Sequence, residues 1–415
     1  MNLKTIALAA AAAAAATSAS AADLPVVAEP VDYVQVCDAY GAGYFQLPGS
    51  DTCIRVAGRI RATIVSGDLA EDNNEGYEDH ASYARGYIYL HSRTQSEIGL
   101  ISTYTAVIGN YRGDASDDIA LDDTYVQISN DLGAFTFGTT ESVFYGFDGY
   151  SIIAPAGVNG EGESPLQVSY SKAFGNGVTA AIGLEDSSYR AGEDNSIDVT
   201  AAVTIEQGWG SFKLAGALHN TADRPLVDSG TDTDVVTTAD EDDNGDLTGT
   251  YTSVITSTDW ETRQDNDQDY GFALQATFTT GMLGEGTQVA FQAAYADSAL
   301  SYLGFGGGIS GLDLGDDADE TAVLDAAGTH GYALAFGIEH ALTDTVTGTI
   351  DASYMDLDLG DLDADYDRTA VDASVFWTPV SGLLIGAAAG WVNHDYDGGA
   401  DEDELYVGSR VQFSF

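Results

Sequence analysis

Basic side chains are scarce: 14 Lys and Arg stand against 66 Asp and Glu in 415 residues, a formal charge of -52. That balance excludes nonspecific affinity for nucleic-acid phosphates. With only two cysteines, a disulfide-dense scaffold or a Cys-rich metal site is excluded. Six histidines (His80, His91, His219, His330, His340, His394) are scattered without a recognisable motif. Nothing suggests the converging nucleophile, base and orienting acid of a hydrolase, so no enzymatic activity is expected. Past the amino terminus there is no run of 18 apolar residues, and the longest candidate, Leu383 to Val392, is only strand-sized. Nor is disorder expected, since 44% hydrophobic and 10% aromatic residues supply ample apolar surface.

What is present begins with a leader. Lys4, an apolar stretch from Ile6 to Ala16 and the small residues Ala19-Ser20-Ala21 predict a secretory signal peptide over 1–21. The mature chain then starts near Ala22 and is exported, so Cys37 and Cys53 reach a compartment where disulfides persist. Pairing them closes a loop of about 17 residues, worth about 3 kcal/mol in the chain-entropy model. Two buried free thiols are the alternative.

From residue 54 the chain alternates apolar and polar with period two. Ile54, Val56, Ile60, Ala62 and Ile64 share one face, and Arg55, Arg59, Arg61 and Thr63 share the other. The pattern predicts strands at 54–66, 82–94, 96–108, 122–130, 133–141, 165–174, 177–186, 196–207, 209–220, 268–280, 285–297, 329–340, 345–357, 367–378, 382–394 and 404–415. Long polar connections (67–81, 109–121, 142–164, 187–195, 221–267, 298–328, 358–366, 395–403) alternate with short ones such as Gly175-Asn176. Sixteen strands enclose too wide a lumen for side chains to fill, so the apolar face must point outward. An outward apolar face demands lipid, and lipid demands a closed sheet. The expectation is an all-β fold, a 16-stranded antiparallel transmembrane β-barrel over 54–415, preceded by a periplasmic segment over 22–53. Tyr104, Phe174, Trp209, Tyr270, Trp377 and Phe413, near strand ends, suit the interfacial girdles.

Three stretches carry a resemblance: Val36-Cys37-Asp38-Ala39-Tyr40-Gly41-Ala42-Gly43-Tyr44-Phe45 leading to Cys53-Ile54-Arg55-Val56, the segment Gly177 to Asp186, and Phe376-Trp377-Thr378-Pro379-Val380-Ser381-Gly382-Leu383. With the terminal Phe415 they resemble the alphaproteobacterial general porin family, over essentially the whole mature chain. The resemblance implies a homotrimer in the bacterial outer membrane, passing small hydrophilic solutes by diffusion. It also implies that the third long loop, here about 142–164, folds inward and narrows the lumen. The chain departs from the family in the acidity of its loops.

The few basic residues are unevenly placed. Arg55, Arg59 and Arg61 face inward on the first strand, Arg85 and Arg93 on the second and Arg410 on the last. Closure makes these strands one wall, with Arg410 and Arg59 expected at similar depth and Arg61 and Arg85 somewhat higher. The third loop offers Asp148, Glu161 and Glu163, with Glu141 at its base. Arginines opposed to carboxylates across a narrow aqueous gap create a transverse field that orients dipolar solutes. Pairing of the arginines with neighbouring carboxylates is the structural alternative. No cofactor is expected. Asp240, Asp242, Asn244, Gly245 and Asp246 match the start of a calcium loop, but Tyr251 stands at the twelfth position, where a bidentate Glu belongs. Weak divalent-cation binding at acidic loops, and through it contact with lipopolysaccharide, is the most they suggest. A solute-specific channel and a structural or adhesive barrel with acidic loops are the competing functions.

Overall fold

A computed structural model describes residues 35–46, 49–66, 68–69, 80–112, 118–153, 157, 164–193, 195–221, 226–241, 247–263, 270–305, 309, 320–362, 364–397 and 401–415. The leader, and Glu161 and Glu163 of the third loop, lie outside them, as do Asp242, Asn244, Gly245 and Asp246.

Two short strands come first, β1 (Gln35–Val36) and β2 (Phe45–Gln46). Nine long ones follow: β3 (Cys53–Ser66), β4 (His80–Ser96), β5 (Gly99–Arg112), β6 (Asp118–Asn130), β7 (Gly133–Thr139), β8 (Leu166–Gly175), β9 (Val178–Asp186), β10 (Ile197–Gln207) and β11 (Gly210–Asn220). A separate hairpin, β12 (Leu226–Glu241) with β13 (Leu247–Arg263), interrupts the series. Seven strands complete it: β14 (Tyr270–Thr280), β15 (Thr287–Asp297), β16 (His330–Thr343), β17 (Val346–Asp358), β18 (Asp365–Val380), β19 (Leu383–Tyr396) and β20 (Glu402–Ser414). Each of the sixteen pairs antiparallel with its neighbours in sequence, and β20 closes on β3 through Val411 opposite Ala62 and Phe413 opposite Ile60. Every one of the sixteen expected strands is present, with ends moved by a few residues.

Closure explains the face sorting. Ile60 and Ile64 are 59% and 53% exposed while Thr63, between them, is 1% exposed, so the apolar side of the strand looks away from the protein. Such a surface is stable only against hydrocarbon. The turns fit the same plan. Asn176 and Gly177, joining β8 to β9, both take positive φ (51° and 73°), the geometry of a tight hairpin turn that Asn-Gly favours.

At the other end the long connections are not all solvated loops. The connection 298–328, expected to be polar, carries a one-turn 3-10 segment at Leu300–Leu303 and a short helix, α1 (Glu320–Ala326). Leu300, Tyr302, Leu303, Phe305, Val323 and Leu324 pack on the inward residues Ala217, Ala273, Ala296, Met355 and Leu357. The largest apolar cluster among the described residues therefore lies inside the barrel, where Leu300–Phe305 and α1 fold in from the loop-bearing end. Its apolar residues sit in short runs between glycines and aspartates, with no sustained period to mark them.

At the turn-bearing end, Cys37 and Cys53 form a disulfide, with 6.2 Å between their Cα atoms. The bond ties β1–β2 to the first barrel strand, and Tyr44 packs against it.

Candidate functional site: the lumen wall and the inward loop

The site is built from two surfaces, the wall of β3–β6 and the loop after β7. The third long connection turns into the lumen and follows the inner wall. Ser142 Oγ donates to Glu185 Oε1 of β9 (2.7 Å), and Lys213 Nζ of β11 donates to the Tyr145 carbonyl (2.6 Å). Gln275 Nε2 of β14 donates to the Phe144 carbonyl (3.0 Å), while Gln292 Oε1 of β15 accepts from Phe147 N–H (2.6 Å). Asp351 of β17 accepts from the Tyr150 and Ser151 amides, at 2.9 and 2.7 Å. Ser151 also bonds Ser374 of β18, and Arg410 of β20 donates to the Ile152 carbonyl. Residues 142–153 thus lie along strands β9 to β20, with successive backbone groups met by wall side chains. Burying those groups without partners would cost about 1–3 kcal/mol each.

Apolar contacts complete the seat. Ile153 packs with Phe376 and Ala388. A Cβ at Gly408 would lie 2.8 Å from Ile153, and one at Gly337 would collide with Phe147 and Asp351. A Cβ at Gly386 would collide with Phe376, which itself packs on Ile153, and would lie 3.3 Å from Ile153. These wall glycines make room for the loop.

The start of the loop joins a second network. Arg190, 1% exposed, reaches Glu185 Oε2 at 3.3 Å and stands 4.1 Å over the Tyr302 ring. Tyr302 O–H donates to Asp198 Oδ2 (2.8 Å), which also meets His219 Nδ1 at 2.7 Å. Asp325 of α1 lies 3.7 Å from His219 Nε2 and accepts from the Leu300 amide. Burial pushes the Tyr302 phenol well up, so it remains a donor. One buried network therefore joins the start of the third loop at Ser142, Arg190 after β9, and Leu300–Leu303 with Asp325 of α1.

The wall left bare by residues 142–153 holds the arginines. Arg61 pairs across strands with Arg85, and Arg59 with Tyr87. Arg59 stands 3.9 Å over the Tyr87 ring, Arg61 5.3 Å over the same ring, and Arg85 5.3 Å over Tyr83. Arg85 also donates to Asn110 Oδ1 and to Tyr87 O–H. Toward the turn end Arg93 lies 5.4 Å over Tyr44, and Arg55 passes beside Gly43. None of Arg55, Arg59, Arg61, Arg85, Arg93 and Arg410 forms an ion pair among the described residues. The wall is held by cation–π contacts and neutral hydrogen bonds, not by a carboxylate network.

Two expectations need correction. Arg410 lies opposite Thr63, whereas Arg59 lies opposite Ser414, so Arg410 sits nearer the loop-bearing rim than Arg59, Arg61 and Arg85. Counting residues from the rim ignores the stagger that closing tilted strands imposes. Arg410 is 5% exposed and bonds Thr63, Tyr83 and Ile152, which makes it an anchor of the loop tip. Tyr104 is not a girdle residue. Its ring meets His91 at 4.8 Å and Tyr125 at 5.6 Å on the inner wall. Of the loop acids, Asp148 and Glu141 are exposed to the lumen. Desolvation by the lumen wall, then Asp123 and Asp148, push the Glu141 carboxyl up from its ordinary value.

A closed sixteen-stranded barrel with an apolar exterior, a charged wall and an inward loop defines a pore-forming protein of the outer membrane. The chain belongs to the porin subfamily (Porin_2), whose family model matches residues 23–409, and is an outer-membrane diffusion channel. It is 35% identical over 241 residues to the porin Omp2a of Brucella ovis, across 51% of this chain and 69% of that one. To the porin Omp2b of Brucella canis it is 31% identical over 240 residues, 51% of this chain and 64% of that one. Among solved structures, the outer membrane channel DcaP of Acinetobacter baumannii superposes with a TM-score of 0.63 at 14% identity, covering 88% of this chain and 98% of that one. An anion-selective porin of Comamonas acidovorans gives 0.51 at 10% identity, covering 88% and 100%. Likeness at such identities bears on the fold alone.

Proposed function

We propose that small hydrophilic solutes and ions cross passively between the Arg59–Arg61–Arg85 wall and the loop anchored along β9 to β20. The observation that carries this reading is the placement of residues 142–153, which cover one side of the lumen and leave the arginine wall bare. Guanidinium groups on one side and Asp148 and Glu141 on the other set up a transverse field in the gap, which orients dipolar solutes. The excess of acidic groups, 66 against 14 basic ones, favours cations overall at low salt. Three copies assemble in the membrane, as the family implies, and acidic loops meet lipopolysaccharide through divalent counter-ions. Diffusion calls for no cofactor.

Liposome swelling with sugars of graded size tests the reading. A sharp size cutoff is expected. One saturable sugar would make the channel solute-specific, and no swelling would leave a structural or adhesive barrel.

A further inference from the structure

The bare wall carries more than charge. On β4 the inward positions run Tyr83, Arg85, Tyr87, Tyr89, His91 and Arg93, so every step presents a ring or a guanidinium. The rings continue sideways. Tyr87 and Tyr89 stack at 5.8 Å and 25°, Tyr89 and Tyr104 at 6.2 Å and 15°, and Tyr125 follows Tyr104 at 5.6 Å. Arg59 lies close on Tyr87 but 5.9 Å from Tyr89, and Ala57, opposite Tyr89 in β3, carries only a methyl group.

A guanidinium lying over a ring keeps its N–H donors in its own plane, directed along the wall rather than into it. Arg59 and Arg61 are half-buried, with Nε enclosed and without an acceptor, and neither guanidinium pairs with a carboxylate among the described residues. Fixed cationic donors therefore stand beside a run of aromatic faces. An aliphatic anion would use only the donors, and a neutral sugar would meet the rings and take hydrogen bonds without a charge to match the guanidinium. An aromatic carboxylate uses both, accepting a forked hydrogen bond from a guanidinium while its ring stacks on tyrosine.

We propose that Arg59 and Arg61, seated on the buried Tyr87, form with the half-buried Tyr89 and Tyr104 a recognition site for aromatic carboxylates on the solute path. The proposal rests on the channel reading above and names a solute class for the same wall. Benzoate and cyclohexanecarboxylate have one charge and nearly one size, and differ in the π face. Calorimetric titration of the detergent-solubilised protein is expected to show benzoate binding about fivefold more tightly. In planar bilayers, benzoate should reduce the KCl current more than cyclohexanecarboxylate at equal concentration. Replacing both Tyr89→Leu and Tyr104→Leu should bring the two ligands level, and Arg59→Gln with Arg61→Gln should weaken both. Heat-modifiable gel mobility reports whether each variant is folded, and the wild-type comparison needs no variant. Equal binding of the two acids, or none, overturns the site. A KCl current without benzoate preference overturns the site and leaves the channel intact. Benzoate preference without any current overturns the channel and leaves the site.

Discussion

Arg59 and Arg61 stand side by side on the inner face of β3, over the Tyr87 ring. Tyrosine faces hold them in place. Replacing both with glutamine should enlarge the gap and roughly double the cation-to-anion permeability ratio, since the positive side of the field is removed. Single-channel conductance and reversal potential measure this, and unchanged values would refute it. Glu141 predicts a pH effect. A carboxyl whose pKa is raised takes up its proton while an ordinary glutamate, titrating near 4.3, is still charged. Cation preference should therefore begin to fall above that pH as the solution is acidified, and Glu141→Gln should abolish the early part of the fall. The inward parity of Arg59, Arg61, Arg85, Tyr83, Tyr87 and Tyr89 was legible from alternation alone. The anchors Gln275, Gln292 and Asp351 were not, because a polar residue at an inward position is what any water-filled barrel shows.

Among the elements, the inward loop is held chiefly by side chains of strands distant in sequence: Phe147 meets Gln292, and Tyr150 meets Asp351. No local pattern encodes such contacts. The wall glycines were the available signal, since Gly337, Gly386 and Gly408 weaken strand interiors and mark close approach. Asp351 accepts two loop amides, so Asp351→Ala should loosen the loop by about 1–3 kcal/mol for each amide left unpaired. The expected record is a larger mean conductance with noisier open-state current; a quiet trace of wild-type size would show that the other anchors suffice. The strands themselves were legible because period two survives wherever one face meets lipid and the other water. The inward fold of Leu300–Leu303 and α1 was not, since α1 has seven residues, too few to display a helical period.

Across the whole molecule, the charge imbalance acts through distance. Fixed charges on the loops reach about 10 Å into solvent at 0.1 M salt and about 3 Å at 1 M. Cation selectivity should therefore shrink as salt rises from 0.05 to 1 M at a fixed concentration ratio across the membrane. Reversal potentials across that series decide it, and a salt-independent value would place the selectivity at the narrow gap instead of the mouths.

The lopsided lining has a consequence for how such a pore is tuned. Because residues 142–153 upholster the stretch from β9 to β20, a passing molecule reads little of that arc. What the loop leaves uncovered is β3 to β8, and the arginines and tyrosines lie on β3 to β6 of that arc. Exchanges there should retune what passes, whereas exchanges beneath the upholstery should alter only how firmly it is fastened.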